Sequence, residues 1–384
     1  MNMKKIKLLA IATLVAVGAN AQYFQHVYGG QTRDFLESGV NANIASPQGH
    51  IMTGYNDVGG INNIMLTRTD LDGRFVFGPM FNNRYAVFEN AVPRDAKARS
   101  VVHPLACGGN ISVWGDFANT AGALSTRFFY AQFTPVGAPL ISFAYQLPGV
   151  VEAEATSMCI STSNPNNVFM CGWVRLVVGG PRYPVVMSLN ACNGVINWAR
   201  SYLIGNNTDW IATDLVESPY PTPTAIPDIA LSGRMTIPGA FETGCFFTVS
   251  TATGFLTNLL QEYGTPLANP CGLDAIAITN NPGNNGTKGF VLGGYYNNPV
   301  SGNDDSWIMK VDPTGAIVDF STALDYSVAG NNDYAYDVIE RQNTLLPPND
   351  YEYYLGGYVM NGVFGAEDDV VYKIDFTGAP VPLG

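Results

Sequence analysis

Two pairs of adjacent carboxylates, Asp304-Asp305 and Asp368-Asp369, are the most obvious residues able to do chemistry. Paired carboxylates bind Ca²⁺ or serve as acid and base in glycoside hydrolysis. Both pairs fall at the same place in a repeated segment, which favours a solvated or turn-capping role. Asp70-Leu71-Asp72-Gly73 resembles a calcium loop but lacks the spaced ligands and the closing Glu, so it reads as a turn. A further acidic residue recurs in each repeat: Asp34, Asp95, Glu154, Asp209, Asp274 and Asp333. If these six ring one channel mouth, they form a cation site, with Ca²⁺ as the ion, or an acidic funnel for a basic ligand. The competing role is to accept backbone N–H groups in the turns between repeats. Repetition favours that second role.

Aromatic side chains follow a repeated glycine at Tyr55, Trp173, Tyr295 and Tyr358. Such rings stack on sugars or fill the space between repeated units, and packing is the favoured reading. The three histidines, His26, His50 and His103, lie in no metal or nucleophile motif, and no G-x-S-x-G or P-loop occurs. No catalytic residue and no metal ligand are assigned. The six cysteines form no C-x-x-C, which argues against zinc. Cys159 and Cys171 flank the turn 164–167 symmetrically about Pro165, so they are expected to face each other across a hairpin. There they form either a disulfide or two buried thiols.

The elements that must position these residues are short strands. Apolar runs carry strand glycines at Gly54, Gly115, Gly172, Gly233, Gly294 and Gly357, spaced 57 to 63 residues apart. A second series of turn glycines, Gly73, Gly137, Gly194, Gly254, Gly315 and Gly378, keeps the same beat. Each repeat also has a leading and a trailing strand, which gives four strands joined by Gly, Pro, Asn and Asp turns. The predicted fold is an all-β, six-bladed β-propeller of four-stranded antiparallel blades, preferred over a sandwich array or an open solenoid. Residues 23–28 resemble a trailing strand, so an N-terminal strand is expected to complete the last blade and close the ring.

Residues 1–21 combine Lys4, Lys5 and Lys7, a short apolar stretch and an Ala19-Asn20-Ala21 cleavage site. They read as a signal peptide, leaving 22–384 as one propeller domain in a secreted protein, at the cell surface or beyond. The chain carries a net charge of −12, 47% hydrophobic residues and 13% charged residues. This balance excludes a disordered chain and argues against nucleic acid as a partner. No later apolar run is long enough to span a membrane.

The last two repeats read LDAIAIT, GFVLGGYYN, DDSWIMKVDPTG and NDYAYDVIE, YYLGGYVM, DDVVYKIDFTG. They resemble secreted, kelch-like short-period propeller repeats of gliding-type Gram-negative bacteria. That resemblance implies architecture more than activity. Relatives often carry a C-terminal sorting domain, whereas this chain is expected to end inside its last blade. The functional expectation is a non-catalytic binding or scaffolding module. It would recognise a protein or glycan through the long loops between first and second strands, at 217–228, 280–289 and 341–350. The alternatives are a carbohydrate-active enzyme using paired carboxylates and a structural subunit of a surface assembly.

Overall fold

A computed structural model describes residues 34–42, 49–58, 60–70, 82–89, 92–118, 124–203, 208–220, 227–258, 260–264, 269–282, 286–324, 332–342, 351–359 and 368–381. Residues 1–21, expected to be a signal peptide, residues 23–28, expected to close the ring, and much of the three long loops lie outside this set. The described residues form six antiparallel sheets in succession, the blades of a six-bladed β-propeller. Blade one comprises β1 (Asp34–Ala42), β2 (Gly49–Val58), β3 (Ile61–Asp70) and β4 (Asn82–Tyr85). Blade two adds a short lead-in, β5 (Val87–Glu89), to β6 (Val92–Val102), β7 (Ile111–Ala118), β8 (Arg127–Phe133) and β9 (Pro139–Tyr145). Blade three is β10 (Glu152–Ile160), β11 (Asn167–Arg175), β12 (Arg182–Asn190) and β13 (Ile196–Ser201). Blade four is β14 (Asp209–Glu217), β15 (Asp228–Thr236), β16 (Glu242–Ser250) and β17 (Gln261–Tyr263). Blade five is β18 (Cys271–Thr279), β19 (Gly289–Asn297), β20 (Asp304–Val311) and β21 (Ile317–Leu324). Blade six is β22 (Asp333–Gln342), β23 (Tyr351–Val359), β24 (Asp368–Asp375) and β25 (Pro380–Val381). In blade six, among the described residues, the fourth place is held by β25, which pairs with Lys373 and Ile374.

The chain divides into two compact units, residues 1–170, 174–178 and 189–197, and residues 171–173, 179–188 and 198–384. In the first, Ile51, Ile64 and Leu66 of blade one pack on Val113, Phe129 and Phe133 of blade two. In the second, Phe246, Phe290 and Leu292 form a core between blades four and five, and Ile308, Val338 and Leu355 one between blades five and six. The middle strands are buried almost end to end, as β7 and β11 show. A blade has no solvent face of its own there, so its strands read as continuous apolar runs.

The strand glycines have a specific cause. The first strand of a blade carries a one-residue bulge, seen after Leu36, Ala98, Ala212, Leu273 and Ala335. Those residues pair with Gly54, Gly115, Gly233, Gly294 and Gly357. The bulge pushes a carbonyl over the opposite strand. A Cβ at Gly115 would lie 2.2 Å from the Lys97 carbonyl oxygen, and one at Gly294 would lie 2.0 Å from that of Gly272. Only glycine permits this approach.

The disulfide found among the described residues is Cys107–Cys192; Cys159 and Cys171 remain thiols, so of their two expected arrangements the bridge is not formed. The bond from Ser161 N to the Asn167 carbonyl, 2.9 Å, centres the hairpin one residue nearer the N-terminus than symmetry about Pro165 requires. That register sets Cys159 opposite Phe169. Cys171 is buried, as a small apolar residue would be.

Candidate active site

Bulges re-aim side chains. The extra residues in the five bulges are Glu37, Arg99, Thr213, Asp274 and Tyr336. Charged groups gather around two of them, one cluster in each compact unit.

In the first unit, the Arg99 guanidinium binds three carboxylates from three consecutive blades. Its Nε donates to Asp116 Oδ1 at 3.2 Å, Nη1 lies 3.4 Å from Glu37 Oε1, and Nη2 lies 3.3 Å from Glu154 Oε1. Asp116, on β7, is buried with 2% side-chain exposure and also accepts Ser125 Oγ at 2.5 Å and the Ala155 N–H at 3.3 Å. It therefore fixes Arg99 from inside. Glu37 and Glu154 remain open to solvent, at 29% and 39%. Tyr55 lies beneath the cations, with Arg99 at 5.6 Å and Lys97 at 5.5 Å from its ring centre.

The electrostatics divide the carboxylates by role. Burial raises the pKa of Glu154, and the negative charges of Asp116 and Glu37 raise it further against the pull of Arg99. Burial also raises that of Asp116, with Arg99 opposing. Burial works against the Arg99 charge, but Asp116, Glu37 and Glu154 outweigh it and strengthen its hold on the proton. The point a cation would occupy among these three acids is filled by the guanidinium. Among the described residues no group of acidic, His and Cys side chains is arranged to hold a metal ion.

The second unit repeats the design. Arg234, beside Gly233, makes a two-pronged pair with Asp274, Nε to Oδ1 at 2.8 Å and Nη2 to Oδ2 at 2.6 Å. Glu242 lies 3.5 Å from Nη1 and accepts the Tyr295 hydroxyl, and the guanidinium sits 5.1 Å from the Tyr295 ring centre. Burial raises the Asp274 pKa against the pull of Arg234.

The six carboxylates expected to form a ring do not share one register. Asp34 and Asp333 pair with the second residue after a strand glycine, Asp95 and Asp209 with the third, and Asp274 lies in the bulge itself. Asp95 accepts the Asn62 N–H at 2.7 Å, and Asp209 accepts the Arg182 N–H at 2.5 Å while also binding its guanidinium. Each thus ties a strand start to the preceding blade. Asp333 is buried at the start of β22, and the Asp34 side chain lies outside the described residues. Glu154 and Asp274 are the two that join charged clusters. Of the aromatics, Trp173 is buried under Arg182, and Tyr295 and Tyr358 both meet Tyr334. Asp304 and Asp305 bind Asn297 and Asn298 at the β19–β20 turn, and the Asp368 and Asp369 side chains lie outside the described residues.

Arg99, Asp116, Glu37, Arg234, Glu242 and Tyr336 were not singled out by the sequence. Part of their signal was present: Asp116 and Arg234 each directly follow a strand glycine, Gly115 and Gly233, whereas Glu37, Arg99, Asp274 and Tyr336 fall at one repeat position only once the strand pairing is known.

No protein-family model matches the chain, and no curated protein matches it in sequence. Its fold does match solved structures. The GH93 α-L-arabinofuranosidase of Fusarium graminearum in complex with arabinobiose is 9% identical with a TM-score of 0.50, over 90% of this chain and 94% of that one. An α-L-arabinofuranosidase from the same organism with an iminosugar inhibitor is 8% identical with a TM-score of 0.50, over 89% and 93%. An α-L-arabinanase of Penicillium chrysogenum with arabinobiose gives 0.48 at 9% identity, over 90% and 94%.

These neighbours correct two expectations. The expected likeness to kelch-type repeats is replaced by likeness to glycoside hydrolase propellers. The expected non-catalytic binding or scaffolding module finds no support among them: the solved structures that share this fold carry the names of enzymes, α-L-arabinofuranosidases. Arg234 lies near the end of β15, by the turn into β16, and Arg99 lies between the Ala98–Gly115 and Ser100–Trp114 pairs of blade two. The bulges mark where these charges collect.

Proposed function

We propose that the chain is a carbohydrate-active enzyme that cleaves glycosidic bonds at the Arg99 cluster. The observation that carries this reading is the pair Glu37 and Glu154, both open to solvent and both held on one guanidinium. Two carboxylate oxygens bound within 3.4 Å of the two ends of a planar guanidinium stay inside the roughly 9.5 Å limit for acid–base pairs in glycoside hydrolysis. Glu154, with its pKa raised, is the general acid: it gives its proton to the glycosidic oxygen as the carbon–oxygen bond breaks. Glu37 acts on the opposite side, as base toward water or as nucleophile toward the sugar carbon. Arg99, anchored by Asp116, is the positioning residue, and Tyr55 offers a ring to the sugar.

The substrate class to test first is α-L-arabinofuranosides, because the fold is shared with enzymes that carry that name. Export from the cytoplasm fits this role and is supported by the leader sequence and by the Cys107–Cys192 disulfide. Among the described residues no helix is long and apolar enough to cross a membrane.

The test is hydrolysis of aryl α-L-arabinofuranosides and arabino-oligosaccharides by the purified chain. Sugar release that falls about 100-fold or more in Glu154→Gln is expected for loss of a general acid. No release from any of these substrates, or full activity in Glu154→Gln, overturns the proposal.

A further inference from the structure

Blade six aims a tyrosine where blades one, two and five aim charged residues. Tyr336 is the bulge residue of β22 and is 46% exposed. It does not stand alone. Its ring stacks on Tyr358 at 5.3 Å and 28°, and lies almost parallel to Tyr334 at 6.4 Å and 11°. Tyr334 and Tyr358 are themselves 5.1 Å apart, and Tyr295 meets Tyr334 edge-on at 5.3 Å.

The lower rings are locked by polar bonds. Tyr334 donates to Asp304 and Tyr295 to Glu242. Tyr336 is therefore the solvent-facing plate of a supported stack, with its plane set before any ligand arrives. Arg234 and Glu242 join the same stack at Tyr295, the guanidinium 5.1 Å from its ring centre and the carboxylate accepting its hydroxyl, and their side chains, 25% and 22% exposed, can take hydroxyl groups. Burial raises the pKa of the Tyr336 hydroxyl, and its hydrogen bond with Tyr358 and the charge of Asp274 raise it further against the pull of Arg234.

We infer that Tyr336, backed by Tyr334 and Tyr358, forms a carbohydrate-binding site with Arg234 and Glu242, which meet the same stack at Tyr295, and holds a sugar ring by stacking and hydrogen bonds. The apolar face of a sugar matches an exposed ring, and its hydroxyls match the carboxylate and guanidinium at the rim. A proline-rich peptide also stacks on tyrosines, but it offers few donors to a carboxylate and no use for the Arg234 pair. The site lies wholly in the second compact unit and does not depend on bond cleavage at Arg99.

The test is affinity electrophoresis of the full chain in gels containing arabinan, xylan, galactan or β-glucan, with Tyr336→Ala, Tyr336→Phe and Glu154→Gln alongside. Retardation by at least one polysaccharide is expected, with the apparent affinity reduced about tenfold in Tyr336→Ala and kept in Tyr336→Phe. Glu154→Gln should be retarded like the parent, which separates this site from the catalytic proposal. Because Tyr336 is exposed, unchanged melting of Tyr336→Ala serves as the folding control. Equal retardation of Tyr336→Ala and parent, no retardation by any of the four, or displacement by a polyproline peptide but not by oligosaccharide overturns the inference.

Discussion

Tyr263 donates its hydroxyl to the main-chain carbonyl of Gly315, 2.6 Å away, and so fastens the last strand of blade four to a turn of blade five. The same bond joins Tyr145 to Gly194 at 2.6 Å, Tyr202 to Gly254 at 2.7 Å, and Tyr85 to Gly137. The glycine holds a left-handed turn, with φ of +89° at Gly315, and its carbonyl is thereby presented to the neighbouring blade. Tyr263→Phe keeps the ring and removes only the bond. A loss of about 1 kcal/mol is expected, larger if the carbonyl stays dry, read as a lower denaturant midpoint at unchanged slope.

Gly115 and Gly356 make opposite predictions for the same substitution. At Gly115 a new methyl would meet the Lys97 carbonyl at 2.2 Å and the Phe129 ring at 2.5 Å. At Gly356 the nearest atom is Asp337 Cβ at 3.8 Å. Gly115→Ala should cost about 1–3 kcal/mol and displace the bulge that aims Arg99, so both melting midpoint and glycosidase activity fall. Gly356→Ala should leave stability within about 1 kcal/mol of the parent, with any gain coming from the unfolded chain.

The fold was legible because its signals are local and repeated. Turn glycines, strand glycines and apolar strands recur at one spacing, and each maps to the strand order seen in blades one to six. The tyrosines Tyr85, Tyr145, Tyr202 and Tyr263 kept the same beat but read as ordinary apolar residues, because a hydroxyl's partner lies a whole repeat away. The site was hidden for a related reason. Asp95 and Asp209 resembled Glu154 and Asp274 in type and approximate place. Asp95 and Asp209 each tie down a backbone N–H of the preceding blade, Asp209 with the Arg182 guanidinium as well, whereas Glu154 and Asp274 join the Arg99 and Arg234 clusters. A bulge adds one residue to a strand and turns its side chain, and no propensity in the sequence of β6 announces that Arg99 is the residue added.

Cys107 and Cys192 link the segment after β6 to the turn after β12, closing a loop with a sequence separation of 85. In the chain-entropy picture a loop of that size stabilises by roughly 4 kcal/mol. The replacement Cys107→Ala with Cys192→Ala should lower the melting midpoint clearly, and reducing agent should do the same to the parent but not to the double variant. Tyr130 and Gln132 also bind the Ala191 carbonyl beside this disulfide, so local structure around Cys192 should persist in the reduced protein. Cys159→Ala, at a position outside any disulfide, keeps the Cys107–Cys192 bond and should respond to reductant as the parent does.

The pH profile offers a test of the roles of Glu154 and Glu37 that a simple loss of activity does not. The general acid must enter the reaction protonated, so the rate falls as pH rises through its pKa. Burial first, then the charges of Asp116 and Glu37, hold the Glu154 pKa above the ordinary carboxylate range. The alkaline limb of kcat/KM should therefore lie above the pH expected of a solvated Glu. Glu37→Gln removes one of the charges that raise it, so any residual activity should show that limb displaced to lower pH. Glu154→Gln should erase the limb altogether while leaving activity on substrates with highly acidic leaving groups, which depart without a proton. A limb that stays in place in both variants would assign the proton to another residue and remove Glu154 from the reaction.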